Sequence, residues 1–259
     1  MKIYRFKHNG KTLYGALKTE TLYPIEGSIF DEFKVSEKGV AIGLVSLLAP
    51  VVPTKVVAVG TNYRAHGREM GRRLPEEPLI FLKPPSAVIG PAEAIIYPKT
   101  SCRVDYEGEL AVVIKKAAKD LEEDGDVSSC ILGYTCLNDV TARDLQQKDI
   151  QFTRAKSFDT FAPVGPCIAT GLDPSRLRIK TFVNGKLRQS ASTANMIFPV
   201  PRLIRFISGI MTLLPGDIIT TGTPAGIGPL TPGDRVDVQI DGIGTLSNIV
   251  RKIDSRTTI

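Results

Sequence analysis

The stretch Asp105-Tyr106-Glu107-Gly108-Glu109-Leu110-Ala111-Val112-Val113-Ile114 begins acidic and ends in an apolar, β-branched tail. Such a tail has the composition of a buried strand. Successive strand side chains alternate between faces, so Glu107 and Glu109 are expected to project together. Two bare carboxylates side by side in an interior cost on the order of several kcal/mol unless a cation or a proton compensates them. Downstream, Gly133-Tyr134-Thr135-Cys136-Leu137-Asn138-Asp139-Val140-Thr141 reads as a second apolar strand with an acidic residue near its end. Glu107, Glu109 and Asp139 together make a hard, all-oxygen donor set, which favours Mg²⁺ or Mn²⁺ over Zn²⁺. Spacing alone leaves a second reading open, in which the three are solvated charges at strand ends.

The flanking sequence separates the two readings. The tract Asn138-Asp139-Val140-Thr141-Ala142-Arg143-Asp144 is followed by Gln146 and then by Lys156-Ser157-Phe158-Asp159. With the acidic strand before it and Thr221-Gly222-Thr223-Pro224 after it, this order resembles the core of the fumarylacetoacetate hydrolase family over about residues 55–250. The resemblance implies an α+β, predominantly β fold: a mixed β-roll or sandwich with few helices. It also implies a homodimer. The residues agree on fold class, because strand-like segments abound without regular alternation with helices, which argues against a TIM barrel or a doubly wound sheet.

Bulk properties narrow the function classes. A chain of 259 residues, 42% hydrophobic and 23% charged, has a globular composition and the length to bury a substantial core. It contains no 18-residue apolar run, and Met1-Lys2-Ile3-Tyr4-Arg5-Phe6-Lys7 alternates like a strand, so neither a membrane span nor a signal peptide is expected and the expected location is the cytoplasm. Cysteines 102, 130, 136 and 167 form no CxxC pair and are expected as reduced packing residues. The net charge of +6 raises nucleic acid as a partner, but Lys and Arg are scattered with no aromatic platform. A positive field suits a small anionic substrate equally well. A non-catalytic anion- or nucleic-acid-binding protein is the alternative of a different class.

Residues 1–50 read as a small N-terminal β unit, with strands near 3–6 and 12–16 around a turn at Asn9-Gly10 and a break near Pro50 and Pro53. Residues 51–259 form the expected catalytic domain. Within it, Lys55-Val56-Val57-Ala58-Val59-Gly60 is a buried-strand candidate leading to Thr61-Asn62-Tyr63-Arg64-Ala65-His66-Gly67-Arg68-Glu69-Met70. His66 and Glu69 stand three apart and can meet on one helical face, where a carboxylate fixes the imidazole tautomer and makes it a base; the plain alternative is a surface pair. The family resemblance implies a mobile lid here, continuing through Arg72-Arg73-Leu74-Pro75-Glu76-Glu77-Pro78. Lys83 and Ser86 lie in a family-like F-x-K-P-x-S segment at the pocket. Residues 115–126 read as a solvated connector, 179–190 as a hairpin about Asn184-Gly185, and 201–214 as an amphipathic helix with Leu203, Phe206, Ile207, Ile210 and Leu214 on its core stripe.

The remaining site residues follow from spacing together with the resemblance. Arg143 and Gln146 are three apart and suit a helical turn aimed at one anion. Lys156 stands as an ammonium that stabilises a developing enolate. Thr223 lies in a glycine-rich loop that lacks the Gly-Lys-Ser/Thr of a phosphate loop, and the resemblance makes it a binder of substrate carboxylate. The activity implied is that of a Mg²⁺- or Mn²⁺-dependent enzyme of 2-oxo acids: acylpyruvate-type C–C hydrolysis or oxaloacetate decarboxylation first, isomerisation of a hydroxy-dienedioate as the alternative. The chain is much shorter than fumarylacetoacetase and its lid differs, which points away from that substrate.

Overall fold

The computed structural model describes residues 1–71 and 73–252. Arg72 of the expected lid and the last seven residues of the expected catalytic domain lie outside the described residues. The strand Gly108–Ile114 is buried at all seven positions, which is why its sequence runs apolar instead of alternating. It pairs antiparallel with Ile131–Asn138 on one side and with Ile218–Thr220 on the other. From this centre a 13-stranded sheet extends through Ala162–Ala169 to Lys2–His8 in one direction and through Val56–Val59 to Ile80–Lys83 in the other. The strands of residues 1–50 continue this sheet, since Lys2–His8 pairs with Ala162–Ala169. Their first hairpin turns at Asn9-Gly10, both at positive φ, as the tight turn requires.

A five-stranded sheet, in the order Ala94–Tyr97, Gly244–Lys252, Arg235–Ile240, Arg178–Val183 and Lys186–Ser192, covers one face. Leu110, Val112 and Ile114 pack there with Ile179, Val238, Ile240 and Leu246. Ala111 and Val113 face the other way, into a cluster with Ile3, Val56 and Ile218. A short three-stranded sheet, Thr141–Ala142, Val104–Tyr106 and Gly228–Leu230, closes one end. The molecule is therefore α+β and predominantly β, with mixed sheets and four α-helices among the described residues.

Four local readings change. Glu107 lies in neither strand; it occupies the step where the chain passes from Val104–Tyr106 in the small sheet to Gly108–Ile114 in the large one. Glu107 and Glu109 still converge, so it is a bend between sheets, and not ladder alternation, that brings them together. The amphipathic helix spans Val200–Ile210 and buries Val200, Leu203, Ile204, Ile207 and Ser208. Phe206 is half-buried and Ile210 and Leu214 are exposed, because the chain turns extended at Met211 so that Leu213 can bridge Ala118. That bridge also buries Ala118 within the otherwise solvated connector. Finally, Cys130, Cys136 and Cys167 are buried packing residues, but Cys102 is exposed and its thiol donates to Asp144.

Candidate active site

Two backbone ties hold the acidic step against the second strand. Asp139 N–H donates to the Glu107 carbonyl at 2.8 Å, and Glu107 N–H donates to Asn138 Oδ1 at 2.9 Å. Glu107, Glu109 and Asp139 are all buried, and each offers a carboxylate oxygen within 4.8 Å of the others. Glu109 accepts from the Gly222 amide through Oε2, while its Oε1 is buried without a hydrogen-bond partner.

Cations surround the other two carboxylates. Lys156 bridges Glu107 Oε2 at 2.9 Å and Asp139 Oδ2 at 2.6 Å. Lys83, fully buried, donates to Asp139 Oδ1 and to the Val140 carbonyl. Arg143 donates to Glu107 Oε1, to Asp105 Oδ2 at 2.9 Å and to Gln146 Oε1. Burial alone would raise the Glu107 carboxyl, but Lys156 and Arg143 outweigh it and hold that group well below the usual range. Glu109 has no such partner, and burial with Asp139 and Glu107 alongside pushes it well above. Burial works against the Lys156 ammonium, yet Asp139 and Glu107 keep it charged and raise it above its ordinary value.

The donor set fits a hard divalent ion. Three carboxylates converge, one of their buried oxygens lacks a partner, and a Mg²⁺ or Mn²⁺ ion is the group that such an oxygen suits.

A cleft opens beside this cluster, lined by His66, Glu107, Arg143, Gln146, Lys156 and Thr223 with Phe81 and Phe152. His66 and Glu69 lie on the short helix Arg64–Glu69 and meet as their spacing predicts, with Nδ1 to Oε2 at 3.0 Å. A carboxylate only accepts, so Nδ1 carries the proton and Nε2 of the neutral ring is free to take another. Arg143 and Gln146 sit in one helical turn of Arg143–Lys148, but they face each other first. Arg143 is donor-only, which fixes the Gln146 oxygen toward it and leaves the Gln146 NH₂ as a donor to the cavity. Three of the five guanidinium N–H groups are used, so two remain. The Thr223 hydroxyl donates to the Gly108 carbonyl and accepts from Gln189 Nε2 at 2.7 Å, which engages it in the wall. Ser86 is exposed and outside the cavity lining.

Two residues gain a role that sequence reading does not give them. Asp105, fully buried, takes Arg103 on both oxygens and Arg143 on Oδ2, so it aims the Arg143 fork. Gln189 on the hairpin accepts from Gly108 N–H and donates to Thr223 and Pro224, tying the acidic strand to the glycine-rich loop. The acidic character of residue 105 is the available signal for the first; the second has none, since it rests on contacts 34 and 81 residues distant.

Comparison with known proteins bears on the chemistry. Residues 55–251 match the family described as fumarylacetoacetate (FAA) hydrolase, C-terminal, and residues 1–50 match Rv2993c-like, N-terminal. Oxaloacetate tautomerase YisK of Bacillus subtilis is 45% identical over 219 residues, 79% of this chain and 72% of that protein. The structure described as 5-carboxymethyl-2-hydroxymuconate delta-isomerase from Mycobacterium smegmatis is 42% identical with a TM-score of 0.92, covering 98% of this chain and 100% of that one. Maleylpyruvate hydrolase from Sphingobium sp. SYK-6, solved with manganese(II) and pyruvate, is 30% identical with a TM-score of 0.82 over 98% of this chain and 100% of that one.

Proposed function

The chain belongs to the fumarylacetoacetate hydrolase family, and from that premise we propose that it is a divalent-metal-dependent enzyme catalysing keto–enol proton transfer on a small 2-oxo dicarboxylic acid. The observation that carries this reading is the buried convergence of Glu107, Glu109 and Asp139 beside a cleft lined by His66, whose ring is bonded to Glu69. Sequence reading alone puts C–C hydrolysis and decarboxylation first. The relatives named tautomerase and isomerase, at 45% and 42% identity, support proton transfer.

Glu107, Glu109 and Asp139 would hold a divalent ion, which would supply Lewis acidity toward a 2-oxo acid and so favour its enol. The chain's own groups do the rest. His66 takes the proton from the carbon next to the keto group through Nε2, and Glu69 balances the charge that forms on the ring. Lys156, with one N–H beyond its two carboxylate partners, donates to the oxygen on which charge develops. The spare N–H groups of Arg143 and Gln146 hold the distal carboxylate. Phe81 and Phe152 keep that wall apolar, which strengthens each of these contacts.

The His66–Glu69 dyad favours one second reading, since the same base can activate water for C–C hydrolysis of an acylpyruvate. One experiment separates the two. Enol oxaloacetate and acetylpyruvate are offered with Mg²⁺ or Mn²⁺ while enol absorbance, pyruvate and CO₂ are followed. Rapid enol loss without pyruvate or CO₂, abolished by EDTA and slowed roughly 10²- to 10⁴-fold in His66→Ala, is the expected result. Turnover confined to acetylpyruvate supports the hydrolase reading, and full activity in EDTA overturns both.

A further inference from the structure

The helix that carries the dyad is fastened at its two ends in different ways. Ahead of it, Asn62 is fully buried and makes three hydrogen bonds: its Nδ2 donates to the Phe198 and Thr221 carbonyls, and its Oδ1 accepts from Phe198 N–H. Beyond the helix start, among the described residues, a single hydrogen bond ties residues 64–71 to another segment of the chain. It runs from Gly226 N–H to Glu69 Oε1 at 2.9 Å. Glu69 therefore divides its carboxylate, one oxygen on the His66 ring and the other on a loop 157 residues away.

Gly226 is held to that task. Its φ is +102°, and a Cβ there would stand 2.2 Å from the Arg188 carbonyl, so only glycine presents its amide in this way. Its carbonyl accepts the Tyr106 hydroxyl at 2.8 Å. Tyr106 is buried in the small sheet opposite Gly228, which opens the strand two residues beyond Gly226.

We infer that Tyr106 is a positioning residue: acting through Gly226, it latches Glu69 and so fixes the orientation and tautomer of His66. The inference rests on the dyad reading above and deepens it. Glu69 is exposed, and its carboxylate can turn to water once the amide that steadies it drifts. Released, it leaves Nδ1 without a fixed acceptor, and the ring populates the tautomer whose Nε2 carries the proton and cannot accept one. This arrangement also gives the acidic strand a second duty. The residue next to Glu107 sets the base, so the carboxylate cluster and the dyad are registered against one another by a single backbone step.

The test uses Tyr106→Phe, which removes one oxygen and keeps the ring; Gly226→Ala is unsuitable because it collides with backbone. The chain has two histidines, so imidazole ¹⁵N spectra resolve both, and His8, on the first hairpin and bonded to Asn9, serves as the internal reference. The expected result is a roughly fivefold to tenfold fall in kcat with KM and Mn²⁺ affinity unchanged, and a mixed-tautomer His66 signal against an unmoved His8. An unchanged His66 signal overturns the inference whether or not kcat falls, and so does a changed signal with wild-type kcat. His66→Ala, run alongside, keeps the two readings apart. If it leaves turnover intact, the dyad reading fails, and the latch then stands or falls on the His66 spectrum alone.

Discussion

At the scale of single residues, Lys83 and Asp144 show how differently buried and half-exposed charges respond. Lys83→Met leaves the Asp139 carboxylate buried with one cation fewer, and loss of one partner from such a pair costs about 3–5 kcal/mol. Urea unfolding at neutral pH should show a loss in the single variant and a smaller one in Lys83→Met/Asp139→Asn, because the double variant removes the carboxylate together with its cation. For Asp144, burial raises the carboxyl, but hydrogen bonds from the Ser101 hydroxyl and from the Cys102 amide and thiol bring it down to about 2. A depressed folded value means that the unfolded chain binds more protons, so this stabilisation is present above about pH 4 and is lost as pH falls toward 2. Asp144→Asn should be less stable at pH 7 and show a flatter melting-temperature profile between pH 4 and 2; an unchanged acid limb contradicts the assignment. Glu107, Glu109, Asp139, Arg143 and Lys156 were legible in the sequence because each stands in a short, chemically distinctive run. Asp105 was not, because Arg143, the partner that gives it a role, lies 38 residues away and meets it only through sheet pairing.

At the scale of elements, the strand Gly108–Ile114 carries both the core and the site. Leu110 is fully buried in the main cluster between the sheets, so Leu110→Ala should cost about 2–5 kcal/mol in thermal or urea unfolding. A loss below about 1 kcal/mol would show that the cluster relaxes around the gap. This strand was readable because burial on both faces leaves an uninterrupted apolar run. The helix Val200–Ile210 was readable in kind but not in length, since its end is set by the bridge between Leu213 and Ala118, a pairing across 95 residues that no periodicity encodes. The bend at Glu107 escaped for a related reason: alternation assumes one continuous strand, and the chain changes sheets there.

At the scale of the molecule, the first and last strands of the large sheet's long path flank a centre whose charges are balanced by cations from three separate segments, Lys83, Arg143 and Lys156. The proposed divalent ion would give this centre what the lysines do not, a partner for the bare Glu109 oxygen. Binding to the folded state alone stabilises it by mass action, about 2.7 kcal/mol at a hundredfold excess over Kd, so the melting temperature should rise with Mn²⁺ and fall back on chelation. Among the described residues no helix is long and apolar enough to cross a membrane. The most direct test is Mn²⁺ titration of the metal-free protein and of Glu109→Gln, followed by electron paramagnetic resonance. One ion bound per chain in the parent, with affinity reduced at least a hundredfold in a variant that still folds, is the expected result. Equal stoichiometry and affinity in the two proteins would contradict the carboxylate cage at the centre of this account.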